Sequence, residues 1–222
     1  MSKGAGPILG CILAGGLSRR MGGGDKALLP LGGVSMLARV AARLGPQVQQ
    51  IVLNANGDPS RFADLGLPVV ADEIEGFAGP LAGVCAGMGW AHSNTPACTH
   101  IVTAAADTPF FPADLVTCLT SGHALRPDTI VMATSDGNRH PVFALWPVEL
   151  RDDLAAWLER TDTFKVLAWA RRHDLQMVDF PLVETADGPL DPFFNANTPE
   201  DFALAEKILS RTLEEQNAGE PG

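Results

Sequence analysis

Short apolar runs alternate with segments of helical spacing along nearly the whole chain, and that alternation confines it to a few architectures. The runs ILGCIL (8–13), QIVLNA (50–55), LPVVAD (67–72), THIVTAAAD (99–107), TIVMAT (129–134), HPVFALW (140–146) and LQMVDF (175–180) predict strands. Between them, SMLARVAARL (35–44) places apolar residues at helical spacing, with Ser35 as N-cap and Gly45 as a stop. Further helices are predicted over 79–92, where Pro80 stands near the N-terminus, over 112–122, opened by Pro112, over 148–160 and 164–173, and from about Pro199 to Leu213. Strand, helix, strand repeated in this way predicts an α/β fold with a mainly parallel sheet and helices on both faces. Ligands of such sheets bind beyond the carboxyl ends of the strands. The segments that follow the early strands should therefore gather in one crevice: Leu13 to Lys26, Asn54, Asp72 and Asp107.

The first of these segments is unusual. LAGGLSRRMGGGDK (13–26) carries five glycines and three cations directly after the first apolar run. Ordering such a loop costs more backbone entropy than any other composition, so bare backbone and positive charge must be needed there. Gly15 and Gly16 let a base or phosphate approach the main chain, whose N–H groups can form an anion-binding concavity. Arg20 and Lys26 add charge-assisted donors for phosphate oxygens. Two familiar phosphate loops do not fit. Lys26 lies between Asp25 and Ala27, which excludes G-K-[ST], and GGGDKA lies too far from the strand for a dinucleotide fingerprint and lacks its acidic partner.

Composition narrows the partners. The formal charge is −10 over 222 residues, which argues against nucleic acid but leaves room for a small anionic substrate where cations are gathered locally. A chain of this length suits one domain, and no internal repeat or long linker divides it; residues 214–222 read as a frayed tail. Cys11, Cys85, Cys98 and Cys118 form no CxxC pair and predict buried thiols in a reducing compartment. The N-terminal MSKGAGPILGCILAGG resembles a signal peptide, but Gly4, Gly6, Pro7 and Gly10 interrupt it and one lysine supplies its only cation. No run reaches the ~18 apolar residues of a membrane span. A cytoplasmic enzyme is the expectation.

Two further motifs carry chemistry. In ADTPFFP (106–112), Asp107 ends a very apolar strand. An aspartate before Thr-Pro starts turns, yet at a carboxyl strand end opposite a phosphate loop it suits a magnesium ion, which takes carboxylate and phosphate oxygens. In FNANTPEDF (194–202), Thr198, Pro199 and Asp201 read as N-cap, N1 and N3 of the last helix. That leaves Asn195 and Asn197, on the same side of an extended segment, to offer amide oxygens to a ligand or metal. His140, before a strand, reads equally well as a satisfied surface histidine and as a substrate contact.

LAGGLSRRMGGGDK, LNANGD, AD followed by GPLAG, ADTPFFP, HPVFAL and NANTPED stand in the order and spacing of the molybdenum cofactor guanylyltransferases, which the chain resembles over about residues 8 to 205. Two local departures are Ala106, where that family often has cysteine, and the three glycines at 22–24. The resemblance implies a Rossmann-like nucleotidyltransferase fold and transfer of GMP from GTP to the terminal phosphate of the molybdopterin cofactor, with Mg2+. It implies that Leu13, Ala14 and Gly15 hold the nucleoside through the backbone, that Lys26 and Arg20 contact phosphates, and that Asn54 and Asp72 contact the nucleoside. Asp107 would bind the metal; Asn195 and Asn197 would lie near the second substrate or the metal, with His140 as a further candidate contact of the second substrate. LAGG stands where related cytidylyltransferases resemble LAAG, so the glycine pair Gly15-Gly16 favours the larger purine. Partners implied are the two substrates and recipient apo-molybdoenzymes or cofactor-insertion proteins, with no nucleic acid and no membrane. The alternatives are a cytidylyltransferase or another nucleotidyltransferase of this fold, and a cofactor-delivery module whose nucleotide site is regulatory.

Overall fold

The computed structural model describes residues 6–15, 26–73, 79–121, 128–186 and 188–218, with side chains through Arg211. The chain runs from β1 (Ile8–Leu13) past a small hairpin, β2 (Pro30–Leu31) and β3 (Val34–Ser35), into α1 (Met36–Leu44), β4 (Gln50–Asn54) and β5 (Val69–Val70). α2 (Pro80–Asn94), β6 (His100–Ala105) and α3 (Leu115–Thr120) follow. Next come β7 (Thr129–Ser135), β8 (Asn138–Pro147), α4 (Arg151–Leu158), α5 (Val166–Ala170) and β9 (Asp174–Asp179). A second small hairpin, β10 (Val183–Thr185) and β11 (Gly188–Leu190), precedes α6 (Pro199–Ala218).

Seven strands form one sheet in the order β5-β4-β1-β6-β8-β7-β9. All pairs are parallel except those of β8, which runs antiparallel to both β6 and β7. The exception has a local cause. Asp136 (φ 45°) and Gly137 (φ 75°) form a two-residue turn, and Asp-Gly with both residues left-handed is a preferred tight hairpin. From β1 the chain moves out to β4 on one side and returns to β6 on the other, so the strand order reverses beside β1. That reversal is where an open α/β sheet leaves a crevice at its carboxyl edge.

The apolar residues of β1 serve two cores. Ile8 and Ile12 face the layer of α1 and α3, whereas Leu9 and Cys11 face α2, α4 and α5. A strand buried on both faces reads as a continuous apolar run, which is why ILGCIL lacks alternation. α1 begins as expected, with Ser35 Oγ accepting from Ala38 N–H at 3.2 Å. Gly45 does not end it through a left-handed turn; at φ −50° it passes into a 3-10 turn, Gly45–Gln47. Pro112 does not open α3 either: Leu115 N–H first closes a turn on the Pro112 carbonyl, and the helix begins at Leu115. The segments expected to be helical over 148–160 and 164–173 shorten to α4, after a 3-10 turn, and to α5. α6 extends to Ala218, beyond the expected end near Leu213.

α2 is apolar around most of its circumference because it lies between the sheet and α4. Gly87 lets it approach β1: a Cβ there would lie 2.7 Å from Cys11 Sγ and 3.2 Å from Ile101 Cδ1. Gly87→Val is therefore expected to cost about 1–3 kcal/mol through overpacking, read as a lower urea midpoint at unchanged m-value.

Candidate active site

Four polar side chains from three distant segments meet at the carboxyl end of β6. A tight turn, Thr108 N–H to the Ala105 carbonyl at 3.4 Å, places Asp107 just past the strand. Lys26 enters on a 3-10 turn, Lys26–Leu28. Asn195 and Asn197 arrive on the extended segment before α6, where Ala196 N–H bonds the Asp107 carbonyl at 3.2 Å. Lys26 Nζ donates to Asp107 Oδ2 at 2.9 Å, Asn197 Oδ1 at 2.7 Å and Asn195 Oδ1 at 3.4 Å. An ammonium has three hydrogens, and here each has an oxygen, which is what allows Lys26 to be only 7% exposed. Both asparagine amides come to one side, as their spacing predicts, although the segment is tightened by a turn in which Asn197 N–H bonds the Asn195 carbonyl at 3.0 Å. Beyond them the expected cap forms. Asp201 N–H bonds Thr198 Oγ1 at 3.1 Å, and Asp201 Oδ2 accepts Thr198 N–H at 2.9 Å. The Thr198 N–H first, with the Asn197 N–H at 3.1 Å, holds the Asp201 carboxyl below its ordinary range.

A second polar group stands at the end of β4, two strand positions away across β1. Buried Asn54 donates to Asp72 Oδ1 at 2.9 Å and to the Val70 carbonyl at 3.3 Å. Asn56, which the sequence reading passed over, clamps the same aspartate twice. Its Nδ2 donates to Asp72 Oδ2 at 2.7 Å, and its Oδ1 accepts Asp72 N–H at 2.9 Å. The signal was in the sequence: Asn54-Ala55-Asn56 and Asn195-Ala196-Asn197 are the same tripeptide, each with its alanine buried. Gly83 on α2 makes room for this group, since a Cβ there would collide with Asn54 Oδ1 and lie 2.9 Å from Leu13 Cδ2. Gly15 sits beside Asn54, and Ala14 N–H is held by the Asn54 carbonyl at 2.9 Å. The residues expected in one crevice thus form two groups along one sheet edge. Gly16 and Arg20 lie outside the described residues.

His140 lies at the β7–β8 hairpin beside Ser135, Asp191 and Phe193. Its Nε2 lies 2.6 Å from Ser135 Oγ and 3.7 Å from Asp191 Oδ2, and its ring stacks on Phe193 at 4.3 Å. Burial lowers its pKa, against the opposing pull of Asp191. No thiol is poised for nucleophilic attack in the buried layer under the crevice. Desolvation pushes Cys11 up to about 12 and Cys85 up to about 11, so both stay protonated at neutral pH.

The oxygens around Lys26 also bear on a metal. Asp107 Oδ2, Asn195 Oδ1 and Asn197 Oδ1 are hard donors already gathered about one cation. No cluster of three or more His, Cys, Asp or Glu able to hold a metal occurs among the described residues. One carboxylate with amide oxygens fits magnesium, which binds few protein ligands and completes its shell with substrate phosphates and water.

Residues 10–176 match the MobA-like NTP transferase domain. The chain is 52% identical over 202 residues to the molybdenum cofactor guanylyltransferase of Mesorhizobium japonicum, covering 91% of this chain and 96% of that one. Among solved structures, molybdopterin-guanine dinucleotide biosynthesis protein A of Archaeoglobus fulgidus superposes with a TM-score of 0.66 at 24% identity, covering 91% and 99% of the two chains. A Mycobacterium tuberculosis protein solved in complex with manganese does so with a TM-score of 0.62 at 19% identity, covering 91% and 99%. These two share the fold: a mainly parallel, Rossmann-like nucleotidyltransferase sheet, whose strand reversal lies where Lys26, Asp107, Asn54 and Asp72 are found. With half its sequence shared with a named relative along nearly its full length, and a family match over residues 10–176, the chain belongs to the MobA-like NTP transferases and, among them, to the molybdenum cofactor guanylyltransferases.

Proposed function

We propose that this chain transfers GMP from GTP to the terminal phosphate of the molybdopterin cofactor, forming molybdopterin guanine dinucleotide and pyrophosphate, with Mg2+ as the divalent ion. The observation that carries this reading is the meeting of Lys26, Asp107, Asn195 and Asn197 at one strand end. The names of its relatives supply the guanine nucleotide and the pterin. The four free cysteines suit work in the cytoplasm, with apo-molybdoenzymes or insertion proteins as recipients of the product.

The nucleoside lies toward Asn54 and Asp72 and the phosphates toward Lys26. Ala14 N–H is committed to the sheet, so contact with the base there falls to the Ala14 carbonyl and to the backbone of Gly15. An oxygen of the pterin monoester bonds the α-phosphorus as the bond to the bridging oxygen breaks, and the electron pair leaves with pyrophosphate. The nucleophile is already an anion, so no residue has to remove a proton from it. Positioning and charge neutralisation remain as the protein's work. Lys26 reaches a phosphate oxygen by exchanging one of its three present acceptors for it. Asp107, with the Asn195 and Asn197 oxygens beside it, would hold the ion, which supplies positive charge to the reacting phosphates. Asn195 and Asn197 keep their oxygens toward Lys26 and the ion, and their amide nitrogens donate to the second substrate's phosphate.

Incubation with GTP, Mg2+ and molybdopterin cofactor should yield the dinucleotide by mass; product only from CTP would replace the guanine assignment. Asp107→Ala should retain its fold by circular dichroism and lose at least ~10²-fold in turnover; near-normal rates would remove Asp107 from the mechanism. Asn56→Ala and Gly83→Ala should each weaken GTP binding about tenfold by calorimetry, because each frees Asp72 or displaces Asn54. Unchanged affinity in both would place the nucleoside elsewhere. Gly15→Ala, which turns LAGG into LAAG, should shift preference from GTP toward CTP in a competition assay.

A further inference from the structure

The segment that delivers Asn195 and Asn197 is also pinned at its start, at the β7–β8 hairpin. Asp191 begins it. Asp191 Oδ1 accepts Phe193 N–H at 2.8 Å and Ser135 Oγ–H at 2.8 Å, and Phe194 N–H closes on the Asp191 carbonyl at 3.0 Å. Ser135 is fully buried at the end of β7. A hydroxyl has one hydrogen, and here it goes to the carboxylate. The 2.6 Å contact between Ser135 Oγ and His140 Nε2 therefore has His140 as donor, and the imidazole carries its proton on Nε2. The chain of hydrogen bonds runs His140 to Ser135 to Asp191 to the backbone of Phe193. Burial, which disfavours the charged ring, agrees with a neutral donor in that place.

The same histidine also holds the segment by packing. The Phe193 ring stacks on His140 at 4.3 Å and meets Phe143 at 4.8 Å and Phe180 at 5.3 Å. Two residues further on, Asn195 faces Lys26; then Ala196 is fixed to the Asp107 carbonyl, and Asp201 caps the end. A segment seated at its start, middle and end leaves its two asparagines little freedom. Only the start lies outside the phosphate site.

We infer that Ser135, His140 and Asp191 are positioning residues that set the aim of Asn195 and Asn197 through Phe193, without touching either substrate. This rests on the reading of Asn195 and Asn197 as contacts of the second substrate. It revises the role expected for His140, whose Nε2 donates into the protein.

Ser135→Ala removes the link between imidazole and carboxylate. His140→Phe keeps a ring against Phe193 but removes the N–H. In 15N-labelled protein, both variants should shift or broaden the side-chain amide signals of Asn195 and Asn197 and leave those of Asn54 and Asn56 in place. In assays, both should raise KM for the pterin substrate roughly tenfold, as a displacement of well under 1 Å would do where a full 1 Å can cost ~10²-fold, with KM for GTP unchanged within about twofold. Unmoved Asn195 and Asn197 signals in both variants would overturn the inference. Equal disturbance of Asn54 and Asn56 would also overturn it, by showing general loosening in place of a directed effect. Signals that move while the pterin KM stays constant would uphold the relay and overturn the second-substrate reading on which its catalytic meaning rests.

Discussion

A buried ammonium must be surrounded by oxygen, and the local structure of the crevice follows from meeting that demand at Lys26. An unpaired charge withdrawn from water costs several kcal/mol, so the fold has to bring acceptors to it. It brings one carboxylate from the end of β6 and two amides from the approach to α6, segments 81, 169 and 171 residues away in sequence. Those acceptors then impose further order. The Asp107 carbonyl holds Ala196, and the segment around Ala196 holds the start of α6. A third small core of Leu31, Met36, Ala196 and Ala205, with Phe194 and Phe202 packed against it, fills the space beneath.

The electrostatics are local by necessity. With a formal charge of −10, the whole molecule repels a triphosphate, and exposed charges are screened beyond ~8 Å at physiological salt. What can act is charge at contact distance. The resting structure holds its described cation against its own oxygens, and a phosphate that enters offers Lys26 the same kind of acceptor. The site is thus assembled by the same forces it applies to a substrate. The polar group at the end of β4 is built on a different principle. Asp72 there is fixed by two asparagine amides, and a glycine on α2 supplies the room that Asn54 needs.

Much of this was legible in the sequence, for identifiable reasons. Strands buried on both faces show as unbroken apolar runs, so β1, β4, β6 and β7 fell within a residue or two of their expected places. The Thr198–Asp201 cap depends on residues three apart and needed no tertiary information. The antiparallel course of β8 was missed although Asp136-Gly137 announced it, because the turn was passed over in favour of the alternation around it. Pro112 misled because proline favours both a first helical turn and a simple turn, and packing chose the latter. Asn56 was missed because it is exposed and its partner lies 16 residues away. His140 was read as open to two roles because nothing within a few residues of it names Ser135, Asp191 and Phe193 as its neighbours together.

The sequence by itself determined which residues could do chemistry and at which strand ends they would stand. Periodicity, caps and turns are properties of neighbours along the chain, and their energetics are complete within a few residues. Only the tertiary structure decided which of those residues meet. It divided one expected crevice into a group around Lys26 and a group around Asp72, gave Lys26 its three oxygens, and set His140 against the start of the segment that carries Asn195 and Asn197. Such meetings are settled by how sheet order, helix approach and buried charge are satisfied at once, and no local pattern encodes that solution.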